Sequence, residues 1–116
     1  MKNKFGIILV KPQLGENIGA CARSMKNFGF SQLHIVSPKI NFPNHKAKAT
    51  SVGAFDIINK ARVFEETNKA ISDFDIVISL SARKRDINKK HISLKNLIKL
   101  IKKKKNSNFG FMFGPE

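Results

Sequence analysis

One stretch of this 116-residue chain combines polar, small and basic residues in a pattern suited to a built site. It is Asn17-Ile18-Gly19-Ala20-Cys21-Ala22-Arg23-Ser24-Met25, which follows an apolar run and a proline-containing loop. Asparagine offers both donors and acceptors, and arginine carries five fixed N–H donors on a permanent charge. A structural account fits the same residues: Asn17 as a helix cap, Gly19 for close helix packing, Arg23 on a solvated face. Elsewhere the usual signatures of chemistry are missing. There is no G-x-G-x-x-G and no G-x-x-x-x-G-K-[ST], which argues against dinucleotide and P-loop sites. His34, His45 and His91 are too scattered for a metal motif, and one cysteine leaves no zinc site, so no metal is expected. Cys21 falls on an apolar stripe and reads as core rather than nucleophile. No Ser-His-Asp arrangement stands out.

The elements that must position these residues alternate between strand and helix. Phe5–Val10 is a continuous apolar run, as expected of a strand covered on both faces. After a turn through Lys11–Gly15, Asn17 is read as the cap of a helix carrying Ile18, Cys21, Ala22, Met25 and Phe28, with Gly29 at its end. Leu33–Val36, Arg62–Phe64, Asp75–Leu80 and Phe109–Phe113 read as further strands. Lys46–Val52 and Thr67–Ser72 read as short helices. Ser93 caps a helix whose Leu94, Leu97, Ile98 and Ile101 form one stripe, ending in lysines that suit the helix dipole. Such alternation predicts an α/β fold, a mostly parallel sheet with helices on both faces. Ligands in such sheets bind beyond the carboxyl ends of the strands. The loops leaving those ends are Lys11–Asn17, Ser79–Asp86 and Gly114–Glu116.

Charge narrows the partner. The chain has 22 basic against 8 acidic side chains, a net charge of +14. Residues 83–105 alone hold eleven basic residues and one acid, whereas residues 51–82 are net negative. A basic concentration of this kind is a footprint for nucleic-acid phosphate. Eighteen of the 22 are lysine, so a compositional bias explains part of it. The apolar run near the N-terminus stops after six residues at Lys11-Pro12, too short for a secretory signal, and no run reaches the roughly 18 residues of a membrane span. With a single cysteine, the reading is a cytoplasmic protein that does not enter a membrane.

Taken together, the motif-bearing segments resemble a known family, the SpoU–TrmH branch of the SPOUT RNA 2′-O-ribose methyltransferases, and within it the TrmJ-like tRNA cytidine/uridine enzymes. Asn17–Gly29 (NIGACARSMKNFG) resembles the family's first motif. Ser51–Phe64 resembles the TrmJ-type middle segment, Ser81–Arg85 (SARKR) also matches, and Phe111–Glu116 (FMFGPE) resembles the opening of the second motif. The similarity runs in order along essentially the whole chain.

The resemblance implies methyl transfer from S-adenosylmethionine to a ribose 2′-oxygen of RNA, with tRNA the first choice. Catalytic roles fall to Arg23, near the reacting ribose and phosphate, to Asn17, which orders that site, and to Glu116. Leu80, Ser81, Ala82 and Gly114 fall on loops lining the cofactor pocket; relatives often carry a small hydroxyl residue at the place of Leu80, so its contact would be through the backbone. Arg83, Lys84 and Arg85 would contact RNA. Because arginine keeps its proton, Arg23 is expected to grip phosphate and stabilise the developing oxyanion rather than serve as a base. The family's chain continues through a third motif, tied in a deep trefoil knot, that builds most of the cofactor pocket and much of a homodimer interface. Residues 1–116 are therefore expected to form a SpoU-type methyltransferase domain cut within its second motif, the knot segment missing, with weak or no cofactor binding as an isolated chain. Two other readings of the residues stay open: a basic RNA-binding module without chemistry, and a structural partner subunit.

Overall fold

Runs of Ile, Val, Leu and Phe, separated by polar helical segments, bury best when they pair side by side and are covered by the helices between them. The computed structural model describes residues 2–80 and 92–114 and has this arrangement. In chain order the elements are β1 (Lys4–Val10), α1 (Gly15–Phe28), β2 (Gln32–Val36), α2 (His45–Thr50), α3 (Phe55–Lys60), β3 (Arg62–Phe64), α4 (Thr67–Ile71), β4 (Ile76–Leu80), α5 (Leu94–Lys103) and β5 (Asn108–Phe113). The five strands form one sheet in the order β3-β2-β1-β5-β4, and every pairing is parallel. The α/β expectation holds.

Two apolar layers flank the sheet. On one face Ile7, Leu33 and Ile35 pack with Ile18, Ala22 and Met25 of α1, Ala47 of α2, and Ile57 and Ile58 of α3. On the other, Ile8 and Val36 meet Ala70 of α4 and Phe74. Helices thus lie on both faces. The stripe of α5 is formed as expected, yet no α5 residue is buried among the described residues, and Leu94 is 73% exposed.

Local chemistry sets the helix ends, with one correction. Asn17 is not the cap of α1. The helix begins three residues earlier than that cap would give, with Leu14 in the cap position and no side-chain cap. It starts there because Gly15 packs directly on the start of α2, where a Cβ would collide with the Asn44 side chain. Asn44 itself caps α2, its Oδ1 accepting from the N–H groups of Lys46 at 2.9 Å and Ala47 at 3.1 Å. Gly29 closes α1 in the left-handed conformation, as read from the sequence. Ser93 caps α5 by accepting from the Asn96 N–H.

Candidate active site

The strand order brings three strand ends together. β1, β5 and β4 are neighbours, and their carboxyl ends coincide, with Leu9 opposite Phe113 and Phe113 opposite Leu80. The chain lays β2 and β3 on one side of β1, then places β5 against its other side, so the order reverses between β1 and β5. That switch point is where a crevice opens above a parallel sheet.

The backbone at this edge is sharply bent. Lys11, Ser37 and Gly114 follow the ends of the adjacent strands β1, β2 and β5, and all three have positive φ, at 52°, 43° and 103°. Non-glycine residues rarely adopt such angles, and positions that do so cluster at functional edges. The bends are anchored: the Lys11 N–H donates to the Val36 carbonyl at 2.7 Å, the Ser37 N–H to that of Phe64 at 2.8 Å, and the Lys39 N–H to that of Pro12 at 2.9 Å. Pro12 is buried beneath the loop. Gly114 lies so close to the Val10 carbonyl oxygen that a Cβ there would collide with it.

Apolar surface lines the same edge. Leu80 and Phe113 are paired across β4 and β5 and are 39% and 40% exposed, and Leu14 at the mouth of α1 is also exposed. An exposed apolar cluster beside glycine backbone is a surface that a flat, partly apolar ligand can cover. Among the described residues no group of His, Cys, Asp and Glu could hold a metal.

The sequence-derived residues divide into three sets. Leu80 and Gly114 come together at the edge. Asn17 stands in the first turn of α1, its N–H bonded to the Leu14 carbonyl at 3.2 Å. Arg23 is exposed on α1, and helix geometry sets it about 12 Å along the axis from Gly15, away from the strand ends of its own chain. Ser81, Ala82, Arg83, Lys84, Arg85 and Glu116 lie outside the described residues. Cys21 packs against the core, and burial pushes its thiol up to about 11, so it stays protonated at neutral pH. Sequence reasoning passed over Lys11 and Ser37 as shaped positions. Their one signal is a following proline in each case, which disfavours a right-handed helical turn.

A model of the SpoU rRNA methylase family matches residues 4–116. The chain belongs to that family. The tRNA (cytidine-2′-O-)-methyltransferase TrmJ of Methanocaldococcus jannaschii is 39% identical over 115 residues, covering 97% of this chain and 49% of that protein. The tRNA (cytidine/uridine/adenosine-2′-O-)-methyltransferase TrmJ of Pseudomonas aeruginosa is 41% identical over 87 residues, 75% of this chain and 34% of its own. Among solved structures, TrmJ from Z. mobilis ZM4 superposes with a TM-score of 0.86 at 39% identity, covering 96% of this chain and 49% of that one. The chain thus spans between a third and a half of these SpoU-family relatives. Among the described residues no helix is long and apolar enough to cross a membrane.

Proposed function

We propose that this chain supplies the front part of an S-adenosylmethionine-dependent RNA 2′-O-ribose methyltransferase site, with tRNA as substrate. One observation carries the reading. The strand order β1-β5-β4 sets the carboxyl ends of three strands side by side at a switch point, next to the start of α1 and to Gly114. The relatives named as tRNA 2′-O-methyltransferases support the substrate class.

The edge residues fit the cofactor. Leu80 and Phe113 offer apolar cover, and Gly114 allows close backbone approach; Ser81 and Ala82 are assigned to the same pocket by the family resemblance. When bound, S-adenosylmethionine supplies the methyl group. The chain's own contribution is positioning, which is worth several kcal/mol of barrier in well-aligned transfers. Arg23 holds a substrate phosphate through two parallel N–H donors and stabilises negative charge as the 2′-hydroxyl loses its proton. Asn17 orders the first turn of α1, Glu116 belongs to the second motif, and Arg83, Lys84 and Arg85 hold the RNA backbone. Because Arg23 projects from α1 away from its own strand ends, the reading includes a homodimer in which Arg23 serves the partner's cofactor edge.

The test is transfer of labelled methyl from S-adenosylmethionine to an unmodified tRNA transcript by the full-length protein, followed by digestion to nucleosides. Recovery of label in 2′-O-methyl nucleosides supports the reading. Salt-sensitive tRNA binding with no incorporation would instead support a non-catalytic RNA-binding module.

A further inference from the structure

The edge opposite the candidate site carries its own concentration of charge. α5 ends beside the start of β1, and the Asn3 side chain ties the two. Its Nδ2 donates to the carbonyls of Ile101 at 3.0 Å and Lys104 at 2.8 Å, while its Oδ1 accepts from the Ser107 N–H at 2.9 Å. The Lys4 N–H closes the corner on the Ser107 carbonyl at 2.9 Å. The result brings Lys2 and Lys4 from one end of the chain beside Lys102, Lys103, Lys104 and Lys105 from the other. All six are exposed. Among the described residues none of the six is ion-paired; the pairs there involve Lys26, His34, Arg62 and Lys69. The acid at this corner, Asp75, accepts from the Asn108 N–H at 2.7 Å and leaves the lysines in large excess.

Helix electrostatics accounts for only part of this. Cations in the last turn answer the dipole of α5, which explains Lys102 and Lys103. Lys104 and Lys105 lie past the helix end, and Lys2 and Lys4 arrive on another strand. Six unpaired like charges repel one another in the free protein, so fold stability does not account for their gathering at one corner.

We propose that this lysine corner is a second RNA-contact surface, one that grips sugar-phosphate backbone far from the reacting nucleotide. The proposal rests on the RNA reading above and deepens it. A seven-residue strand spans about 20 Å, so the corner and the candidate site lie at opposite ends of β1. A substrate that touches both must extend at least about that far, which selects a folded RNA with a long backbone run over a short oligonucleotide. Lysine suits such a contact, since it neutralises phosphate as a point charge without reading bases.

The experiment is filter binding of a tRNA transcript across a salt series. One variant replaces Lys2, Lys4, Lys102, Lys103, Lys104 and Lys105 with Gln. A control of equal net charge replaces Lys26, Lys39, Lys46, Lys48, Lys60 and Lys69 with Gln, and a third variant carries Arg at the six corner positions. Circular dichroism checks that each is folded. The corner Gln variant should bind ~10-fold or more weakly at moderate salt, its log–log salt slope falling by about 0.7–0.9 for each lysine that held a phosphate. The charge-matched control should lose much less, and the Arg variant should bind like the wild type. If the wild type fails to bind tRNA even at low salt, the RNA reading itself falls. If it binds and the two Gln variants weaken equally, the corner is overturned while the RNA reading stands. Loss of binding to phosphatidylserine-containing vesicles, with tRNA binding unchanged, would assign the corner to an anionic membrane surface instead.

Discussion

Gly114 and Val10 meet at the switch point of the sheet, the glycine backbone lying against the Val10 carbonyl oxygen with φ at 103°. The contact joins the loop after β5 to the end of β1, and so fixes one wall of the candidate crevice to the strand that leads into α1. Any side chain at 114 meets two penalties at once, a disfavoured backbone angle and a collision with a peptide oxygen.

The Gly114→Ala variant should therefore lose at least about 1–2 kcal/mol of stability. In a domain of this size that corresponds to a melting temperature lower by roughly 4 °C or more. A thermal melt by circular dichroism checks it. A melting temperature equal to wild type would mean that the loop relaxes freely and does not hold the edge.

A second glycine joins helix to helix. A Cβ at Gly19 would collide with Thr50 Oγ1 and the Ala47 carbonyl of α2. Thr50 Oγ1 is held in place by donating to the Lys46 carbonyl at 2.8 Å, with the Glu16 carbonyl of α1 3.2 Å away. In an exposed helix Gly→Ala gains about 1 kcal/mol from propensity. Gly19→Ala should instead destabilise, because backbone atoms of α2 would have to move. A urea titration showing a stabilised variant would contradict the close α1–α2 packing.

Much of this architecture was legible in the residues. The five strands were, because β-branched and aromatic runs have few other ways to be buried. Their starts extend beyond the apolar signal where backbone pairing recruits a polar residue: Gln32 opposite Gly6, and Asn108 opposite Lys4. Asp75, read as a strand residue, instead turns its carboxylate to the Asn108 N–H at the corner. The helix α3 carried no periodic signal. It exists because Ile57 and Ile58 find the core formed by α1 and β2, a tertiary cause that local reading misses. The insertion of β5 between β1 and β4 was equally invisible, since chain order does not encode non-local pairing. Of the candidate site, the placement of Leu80 and Gly114 at one edge follows from strand register, and the distance of Arg23 from its own strand ends required the helix geometry.

Cys21 gives a prediction in pH. Burial holds its thiol near 11, above the about 8.5 of an exposed cysteine. A raised pKa in the folded state means that stability from this group is fully present below the unfolded value. It is lost as pH rises from about 9 toward 11, because the unfolded thiol ionises first. Native protein at pH 8 should alkylate slowly with iodoacetamide and quickly in urea. The decline of stability above pH 9 should be shallower in Cys21→Ala than in wild type. Rapid native-state alkylation would place the thiol in solvent and remove this account.

Arg23 carries the chemical prediction. It is exposed on α1, so replacing it should leave the melting temperature within a few degrees of wild type. Lysine at this position keeps the charge but loses the planar fork that grips a phosphate through two N–H groups. If Arg23 acts through that fork on the developing ribose oxyanion, as proposed above, Arg23→Lys should cut kcat for methyl transfer about 100-fold, as loss of one oxyanion donor does elsewhere. On the same proposal the KM for S-adenosylmethionine should stay nearly constant, since the fork would grip RNA phosphate rather than cofactor. Steady-state kinetics on a tRNA transcript separates the possibilities. Near-wild-type turnover would reduce Arg23 to a generic positive charge, whereas a rise in KM for tRNA at constant kcat would make it a binding residue with no part in the transition state.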